Sequence, residues 1–162
     1  MLLEDYPQNA ITEEEAELYD RQIRLWGVES QNRLKQSKIL LLGMNALAAE
    51  IAKNIVLAGI SSLTIIDDKQ RSDAVISRTQ DLNPMVKVQS AGMENNLMEK
   101  IQDHNLIILI TESSSHDFKK WSDFCNIVNS MNAKTRPEII CASVTGLFGL
   151  VFLDLGIHEC VS

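Results

Sequence analysis

Two residues that follow apolar runs, Gly43 and Asp67, stand where a nucleotide-binding fold would do its chemistry. Gly43 ends the run Lys38–Leu42, and the loop after it opens a helical segment. Phosphate binding needs glycines in such a loop, because the backbone must approach the ligand closely and present N–H groups at a helix N-terminus. Asp67 closes the next apolar run 24 residues after Gly43 (67 − 43). That is close to the spacing of roughly 20 residues at which a ribose-binding carboxylate belongs.

The loop after the first run is nevertheless poor in glycine. Only Gly43 remains of a G-x-G-x-x-G pattern, and Asn45 and Ala48 occupy the other two glycine positions. One interpretation is a vestigial nucleotide site that uses Gly43 and Asp67. The other is that Gly43 makes a strand-to-helix turn and Asp67 merely ends a strand. A dinucleotide-binding oxidoreductase, which is an alternative function, would need the cradle that this loop lacks.

A second group of chemistry-bearing side chains lies ahead of the first apolar run, in the string Tyr19–Gly27, which reads Y-D-R-Q-I-R-L-W-G. It brings two arginines, a tyrosine and a tryptophan close together, a concentration that packing alone explains poorly. Arg24 is expected to form a structural salt bridge, since exposed helix arginines commonly pair with residues three or four positions away. Trp26 is interpreted as a packing or dimer-contact residue.

The cysteines and histidines indicate neither a metal site nor a disulfide scaffold. Cys125, Cys141 and Cys160 are widely spaced and form no C-x-x-C pair, which is typical of a reducing compartment. Cys125 lies in an amphipathic helical pattern and is interpreted as a core residue and not as a nucleophile. His104, His116 and His158 are scattered along the chain, so no metal is expected.

The elements that position these residues alternate between strand and helix. A run such as Lys38–Gly43 suits a strand buried on both faces of a parallel sheet, and the helix after it leads to a strand at Leu63–Asp67. This unit has the length of a right-handed βαβ crossover. Further strands are predicted at Val86–Val88, Leu106–Ile110, Ile139–Ala142 and Phe148–Leu153, the last of them a candidate for reversed direction.

Helices are predicted from Glu13, where Thr12 and Glu15 form a capping-box pattern, and over residues 73–82 and 118–131. The alternation predicts an α/β fold with three layers, a doubly wound, Rossmann-like and mostly parallel sheet, formed as a single domain over residues 1–162.

The overall composition excludes several classes of partner. The net charge is −7, and the sequence pI is about 4.9, whereas nucleic acids and anionic membranes both require a cationic face. No apolar run approaches the roughly 20 residues of a membrane span. The stretch Met1–Asp5 lacks the basic and apolar regions of a secretion signal, so an intracellular protein is expected.

The string Tyr19–Gly27 resembles the opening signature of the enzymes that activate ubiquitin-like proteins, the E1s. Glu50–Asn54 and Asp81–Val86 resemble two further family segments and follow in the family's order, so the resemblance extends from about Thr12 to Glu159. It implies the adenylation fold of the E1 and ThiF type. In this family two similar halves pair, and only one of them is catalytic.

The catalytic features of the family are mostly missing. Asn45 and Ala48 replace glycines, Lys69 stands where a second acid would be, and Thr111–Ser115 contains no aspartate for Mg²⁺. The chain therefore resembles the non-catalytic half. Leu155–Glu159 and the N-P-M-V residues that end Asp81–Val86 favour the SUMO type, with the NEDD8-type regulatory subunit as an alternative.

Two departures from the family pattern concern length. The family carries a longer segment where Gln70 meets Arg71, and its members continue beyond Ser162. The chain is therefore interpreted as a fragment of a longer subunit.

The resemblance implies a division of labour between two subunits. An E1 uses ATP and Mg²⁺ to adenylate the C-terminal glycine of SUMO and then transfers the acyl group to a cysteine of the large subunit. ATP and Mg²⁺ are expected on that large partner, with no cofactor tightly bound to this chain. Arg21 is expected to reach across the heterodimer to the ATP phosphates. A nuclear and also cytoplasmic location is implied, and a purely structural scaffold remains an alternative function.

Overall fold

A six-stranded sheet organises the chain, in a computed structural model that describes residues 11–67, 69–92, 97–112, 117–131 and 136–156. The strands are β1 Lys38–Leu42, β2 Ser62–Ile66, β3 Lys87–Ser90, β4 Leu106–Glu112, β5 Glu138–Thr145 and β6 Phe148–Asp154. Their order across the sheet is β3-β2-β1-β4-β5-β6, in which the first five are parallel and β6 runs antiparallel to β5. The doubly wound sheet and the reversed last strand are thus confirmed.

Six helices accompany these strands in the described residues: α1 Glu13–Leu18, α2 Asp20–Gln36, α3 Ala46–Leu57, α4 Lys69–Gln80, α5 Leu97–Gln102 and α6 Asp117–Asn129. The capping box of Thr12 and Glu15 is present at the start of α1. The prediction was wrong about the start of α4, which begins at Lys69 and not near Asp73. The short junction between Gln70 and Arg71 therefore lies within a continuous helix.

The core lies on both faces of the sheet, because neighbouring residues of a strand point to opposite sides. On one face, α3 packs Ala48, Ala52 and Val56 against a cluster that includes Ile39 and Leu41 of β1. On the other face, α6 contributes three buried side chains to a second cluster, around Leu40 and Leu42. These three are Trp121, Cys125 and Val128. Burial of β1 on both faces explains its uninterrupted apolar sequence.

Strand β6 differs from the other strands in its exposure. It forms one edge of the sheet, and Phe148 and Val151 are 82% and 69% exposed. Every residue of this strand except Asp154 is exposed, although most of them are apolar. None of the helices that the structure describes is long and apolar enough to cross a bilayer.

Candidate functional site

Gly43 makes the turn between β1 and α3, as the structural interpretation of this residue predicts. Its φ is +87°, and a Cβ at this position would collide with the carbonyl oxygen of Ile110 in β4. Its N–H donates to the carbonyl oxygen of Ile66 at 3.1 Å. A left-handed conformation with backbone so close requires glycine. The fold alone therefore accounts for Gly43, and its role in nucleotide binding stays a prediction.

Asn45 is the N-cap residue of α3, the helix that follows the Gly43 turn. Its side-chain oxygen accepts the backbone N–H of Ala48 at 3.0 Å and so caps α3. That N–H belongs to the set that a phosphate would use at a helix N-terminus. Ala48 itself is fully buried against the sheet. Asn45 and Ala48, at the two positions where the pattern would have glycine, thus form a self-capped helix start.

Two other residues at the carboxyl ends of the strands, Asp67 and Thr111, also have interactions within the chain. Asp67 follows β2, is half-buried and has an interaction within the chain. Thr111 near the end of β4 is buried, and its hydroxyl accepts the indole N–H of Trp121 at 3.1 Å. Two clefts of about 510 and 470 Å³ lie instead at the amino ends of the strands, where β1 begins at Lys38.

Tyr19, the first residue of the Y-D-R-Q-I-R-L-W-G string, is buried and fixes the N-terminal helices to the sheet domain. Its hydroxyl accepts an N–H of Asn83 at 2.7 Å, and the same amide group donates to the carbonyl oxygen of Val56 at 2.9 Å. The ring fills the space beside Gly59, where a Cβ would lie 2.5 Å from the ring carbon Cζ. Two motifs that the sequence presents separately, at Tyr19 and Asn83, are therefore parts of one contact.

A second set of contacts holds the inner face of α2. Gln22 donates from Nε2 to the carbonyl oxygen of Leu57 at 3.1 Å, and Gln31 donates to that of Ala58 at 2.9 Å. The indole N–H of Trp26 donates to Oε1 of Gln31 at 3.0 Å. This bond fixes the indole within the chain, and the side chain is 40% exposed. Whether Trp26 serves packing or a dimer contact therefore stays a prediction. Sequence reasoning missed both glutamines, because nothing in their spacing distinguishes them from surface residues.

The basic side chains of α2 differ in whether a carboxylate faces them. Arg24 pairs with Asp20 at 3.0 Å, which confirms the predicted structural salt bridge. The same kind of pairing holds two further basic residues, Arg33 to Glu29 at 2.6 Å and Lys35 to Glu15 at 2.7 Å.

Arg21 is the exception in this set. It is exposed, and within the described parts of the chain it forms no hydrogen bond or ion pair. No carboxylate of the residues that the structure describes faces its guanidinium.

The described cysteines are unsuited to nucleophilic chemistry. Cys125 and Cys141 are buried in the cluster between α6 and the sheet, and burial raises the pKa of both thiols, that of Cys141 to about 12. A thiol must ionise to act as a nucleophile. The core interpretation of Cys125 is therefore confirmed.

Several predictions fall on residues outside the described ranges. They concern the stretch Met1–Asp5, most of Thr111–Ser115 and Leu155–Glu159, and the single residues His116, His158 and Cys160. Within the described ranges, no three His, Cys, Asp or Glu side chains are grouped to hold a metal ion.

Comparison with known proteins gives concordant results. Residues 19–72 match the model of the ThiF family. The chain is 37% identical to SUMO-activating enzyme subunit 1 of Xenopus tropicalis over 180 aligned residues, and 36% identical to that of Homo sapiens over 173. Both alignments cover 93% of this chain and 48% of the relative, so the chain spans about half the length of the curated relatives it matches.

The alignment with the Xenopus tropicalis protein is longer than the 162 residues of this chain, so that relative contains a segment that the chain lacks. The fold is also found in solved structures. The crystal structure of PaaA superposes with a TM-score of 0.68 at 20% identity, covering 96% of this chain and 60% of that chain.

Proposed function

The chain is a relative of SUMO-activating enzyme subunit 1 with the Rossmann-like fold of ThiF-type adenylation proteins, and on this premise we propose that it is the non-catalytic half of a heterodimeric SUMO-activating enzyme. Its partner is a large subunit that carries the catalytic cysteine and, together with ATP and Mg²⁺, acts on SUMO. The complex works in the nucleus and also in the cytoplasm. The chain alone performs no catalysis.

The state of Arg21 is the observation that carries this proposal. Arg21 lies in the segment that matches the ThiF family, is exposed, and has no partner among the described residues, whereas its basic neighbours on α2 are paired. Adenylation places charge on the phosphates as pyrophosphate leaves, and a cation held there lowers the barrier. A guanidinium suits this task because its planar fork donates two hydrogen bonds to phosphate oxygens. Arg21 then completes the ATP site of the partner.

The loop after β1 supports the assignment of ATP to the partner. Asn45 already satisfies the N–H of Ala48, and a side chain that caps a helix must leave before a phosphate can take its place. Within this proposal, Gly43 and Asp67 keep the geometry of an ancestral nucleotide site and hold no cofactor tightly.

The test is SUMO-dependent exchange between ATP and pyrophosphate, measured with the chain reconstituted on a SUMO-type large subunit. We expect Arg21→Ala to lower the exchange rate by about 100-fold or more, as removal of a charge-stabilising donor does in other enzymes. Arg33→Ala is the matched control, because it removes an exposed arginine from the same helix whose partner is Glu29. Full exchange with Arg21→Ala would favour the scaffold alternative, in which the chain only stabilises its partner.

The modifier specificity is tested in the same assay. We expect exchange with SUMO and none with NEDD8, since the matched curated relatives are named for SUMO activation. Exchange with NEDD8 and its large subunit alone would assign the chain to the other E1.

A further inference from the structure

Strand β6 lies at the edge of the sheet and has a neighbouring strand, β5, on one side only. Edge strands usually carry protection against pairing with another chain, such as charged side chains, proline or a β-bulge. Residues Phe148–Leu153 include no charged residue and no proline, and their register with β5 is unbroken. The free side of β6 is therefore an apolar edge without these protections.

The turn between β5 and β6 determines which residues of β6 direct their backbone groups to the free edge. A two-residue loop, Gly146 and Leu147, connects the strands, and Thr145 is paired with Phe148 across it. Residues that flank a two-residue loop exchange both backbone hydrogen bonds, and bonded and non-bonded pairs alternate from there along the strands. Phe148 and every second residue after it therefore bond to β5. The N–H and C=O groups of the residues between them point outward, and these residues are Gly149, Val151 and Leu153.

The three outward-facing residues form a self-complementary edge. Antiparallel pairing of two identical strands about a two-fold axis at Val151 places each Val151 opposite the other. Gly149 then faces Leu153 of the second copy, so that a large side chain meets a residue that has none. On the other face of the sheet, Leu150 meets Phe152 of the second copy in the same way. Every outward-facing N–H and C=O group of these three residues has a partner in this register.

Charge and area both favour a second copy as the occupant of this edge. Asp154 is the one charged residue of β6, and in this register it lies opposite Phe148 of the second copy and not opposite its own counterpart. Its carboxylate is also paired with Arg136 at 2.6 Å. Specific interfaces bury at least about 1,000 Å² in total, and a phenylalanine can bury about 150 Å² or more. The exposed apolar side chains of β6 from two copies are of the size that a small, reversible interface needs.

We propose that β6 is a self-association edge, on which two copies of this chain pair as antiparallel strands about Val151 and join their sheets into one. The pairing is closed, because the two-fold axis uses each β6 once. It goes beyond the proposed function and does not depend on it. Helices α1 and α2 attach through α3 and the Asn83 segment before β3, and β3 forms the opposite edge of the sheet. Arg21 on α2 therefore takes no part in the pairing.

Opposite charges at the two-fold axis test the register. Sedimentation velocity measures the mass of the wild-type chain, of Val151→Asp, of Val151→Lys and of an equal mixture of the two variants, each at up to about 100 μM. We expect the wild type to dimerise and each variant alone to be monomeric, since like charges directly opposite each other are destabilising. The mixture is expected to dimerise again, because an aspartate then faces a lysine. The control, Met98→Lys on α5, also charges an exposed apolar position and is expected to dimerise as the wild type does.

Disulfide trapping locates the axis independently. In a chain with Cys160→Ser, Val151→Cys is compared with Leu153→Cys in the presence of oxidised glutathione. Residues opposite each other in a hydrogen-bonded pair have Cα atoms about 5.5 Å apart, which is within the range of a disulfide. Leu153 is displaced from the axis by about 7 Å, so its two copies are about 14 Å apart and out of range. Val151 and Leu153 are 69% and 55% exposed, and we expect at least about 10-fold more cross-linked dimer from Val151→Cys.

Folding and activity are read in parallel. Val151 is exposed, so the variants are expected to unfold at the wild-type midpoint when measured at low concentration. A wild-type chain that stays monomeric at about 100 μM would overturn the inference. Equal cross-linking at both positions, or a dimer that Val151→Asp leaves intact, would do the same. SUMO-dependent exchange by the complex with the large subunit is expected to be unchanged in Val151→Asp. Loss of that exchange in the folded variant would assign β6 to the large subunit instead, with the proposed function left standing.

Discussion

At the scale of single residues, Tyr19 and Gly59 are fitted to each other. The ring of Tyr19 occupies the space that a side chain at Gly59 would need, and Asn83 holds the ring by its hydroxyl. Gly59 also has a φ of +85°, which other L-residues adopt only with strain. The first residue of the N-terminal string is therefore anchored by a glycine that lies 40 positions later in the chain (59 − 19).

A pair of glycine substitutions separates these two effects. We expect Gly59→Ala to lower the free energy of unfolding by about 2 kcal/mol or more, because it adds a collision with Tyr19 to the backbone strain. Gly27→Ala has a similar φ of +86° but no atom within 4 Å of the new Cβ, so about 1 kcal/mol is expected. Urea denaturation measures both values. Equal losses would mean that Tyr19 moves aside without cost.

The residues of the candidate site were predictable only where a local rule governs them. The pairing of Arg24 follows from helical spacing, and the turn at Gly43 follows from an apolar run that ends in glycine. The cap formed by Asn45 was not predicted, although asparagine before a helix is a common N-cap. The contact of Tyr19 with Asn83 could not be predicted, because it joins residues far apart in sequence and depends on the packing of three elements.

At the scale of elements, strong and continuous patterns predicted well, and short or interrupted ones did not. The unit β1–α3–β2 was predicted because both strands are buried on both faces and α3 is rich in alanine. Helix α5 was missed because Leu97–Gln102 has only six residues, too few to show a helical period. Helix α2 is interrupted at Gly27, whose φ of 86° and ψ of 162° are not helical. This break was missed because glycine inside a helical pattern is compatible with both a break and a continuous helix.

Strand β6 is the element whose exposure has the clearest physical consequence. An apolar edge strand with free backbone groups is a template for pairing with other chains. We expect Val151→Lys to reduce concentration-dependent light scattering of the isolated chain without lowering its unfolding midpoint, since Val151 is largely exposed. Ser90→Lys, which adds the same charge to the exposed face of β3, is the control. Equal scattering by the wild-type chain and Val151→Lys would show that β6 does not drive association.

At the scale of the whole molecule, the two edges of the sheet differ. The strand order places β6 at one edge and β3 at the other, while α1 and α2 attach through α3 and the Asn83 segment that precedes β3. The order itself was predictable in its general form, because alternating strands and helices favour a doubly wound sheet. The exposure of β6 was not predictable, because its sequence is as apolar as that of a buried strand.

The proposed division of labour predicts how the isolated chain responds to nucleotide. A chain with a dissociation constant of about 10 μM for ATP would gain about 2.7 kcal/mol of stability at about 1 mM ligand. We expect no measurable shift in the unfolding midpoint of this chain with ATP and Mg²⁺, because Asn45 already fills the helix cap. The isolated large subunit, as the positive control, is expected to shift. A clear upward shift for this chain would contradict the assignment of ATP to the partner.

The contacts of Tyr19, Gln22 and Gln31 also bear on the affinity of assembly. An arginine on a flexible arm would lose conformational freedom each time it met its partner, and that loss would oppose every association. Here the entropy of the helix is lost once, during folding, because its inner face is bonded to α3 before any encounter. The backbone that carries Arg21 is thus ordered before the partner binds, so ordering it does not reduce the affinity.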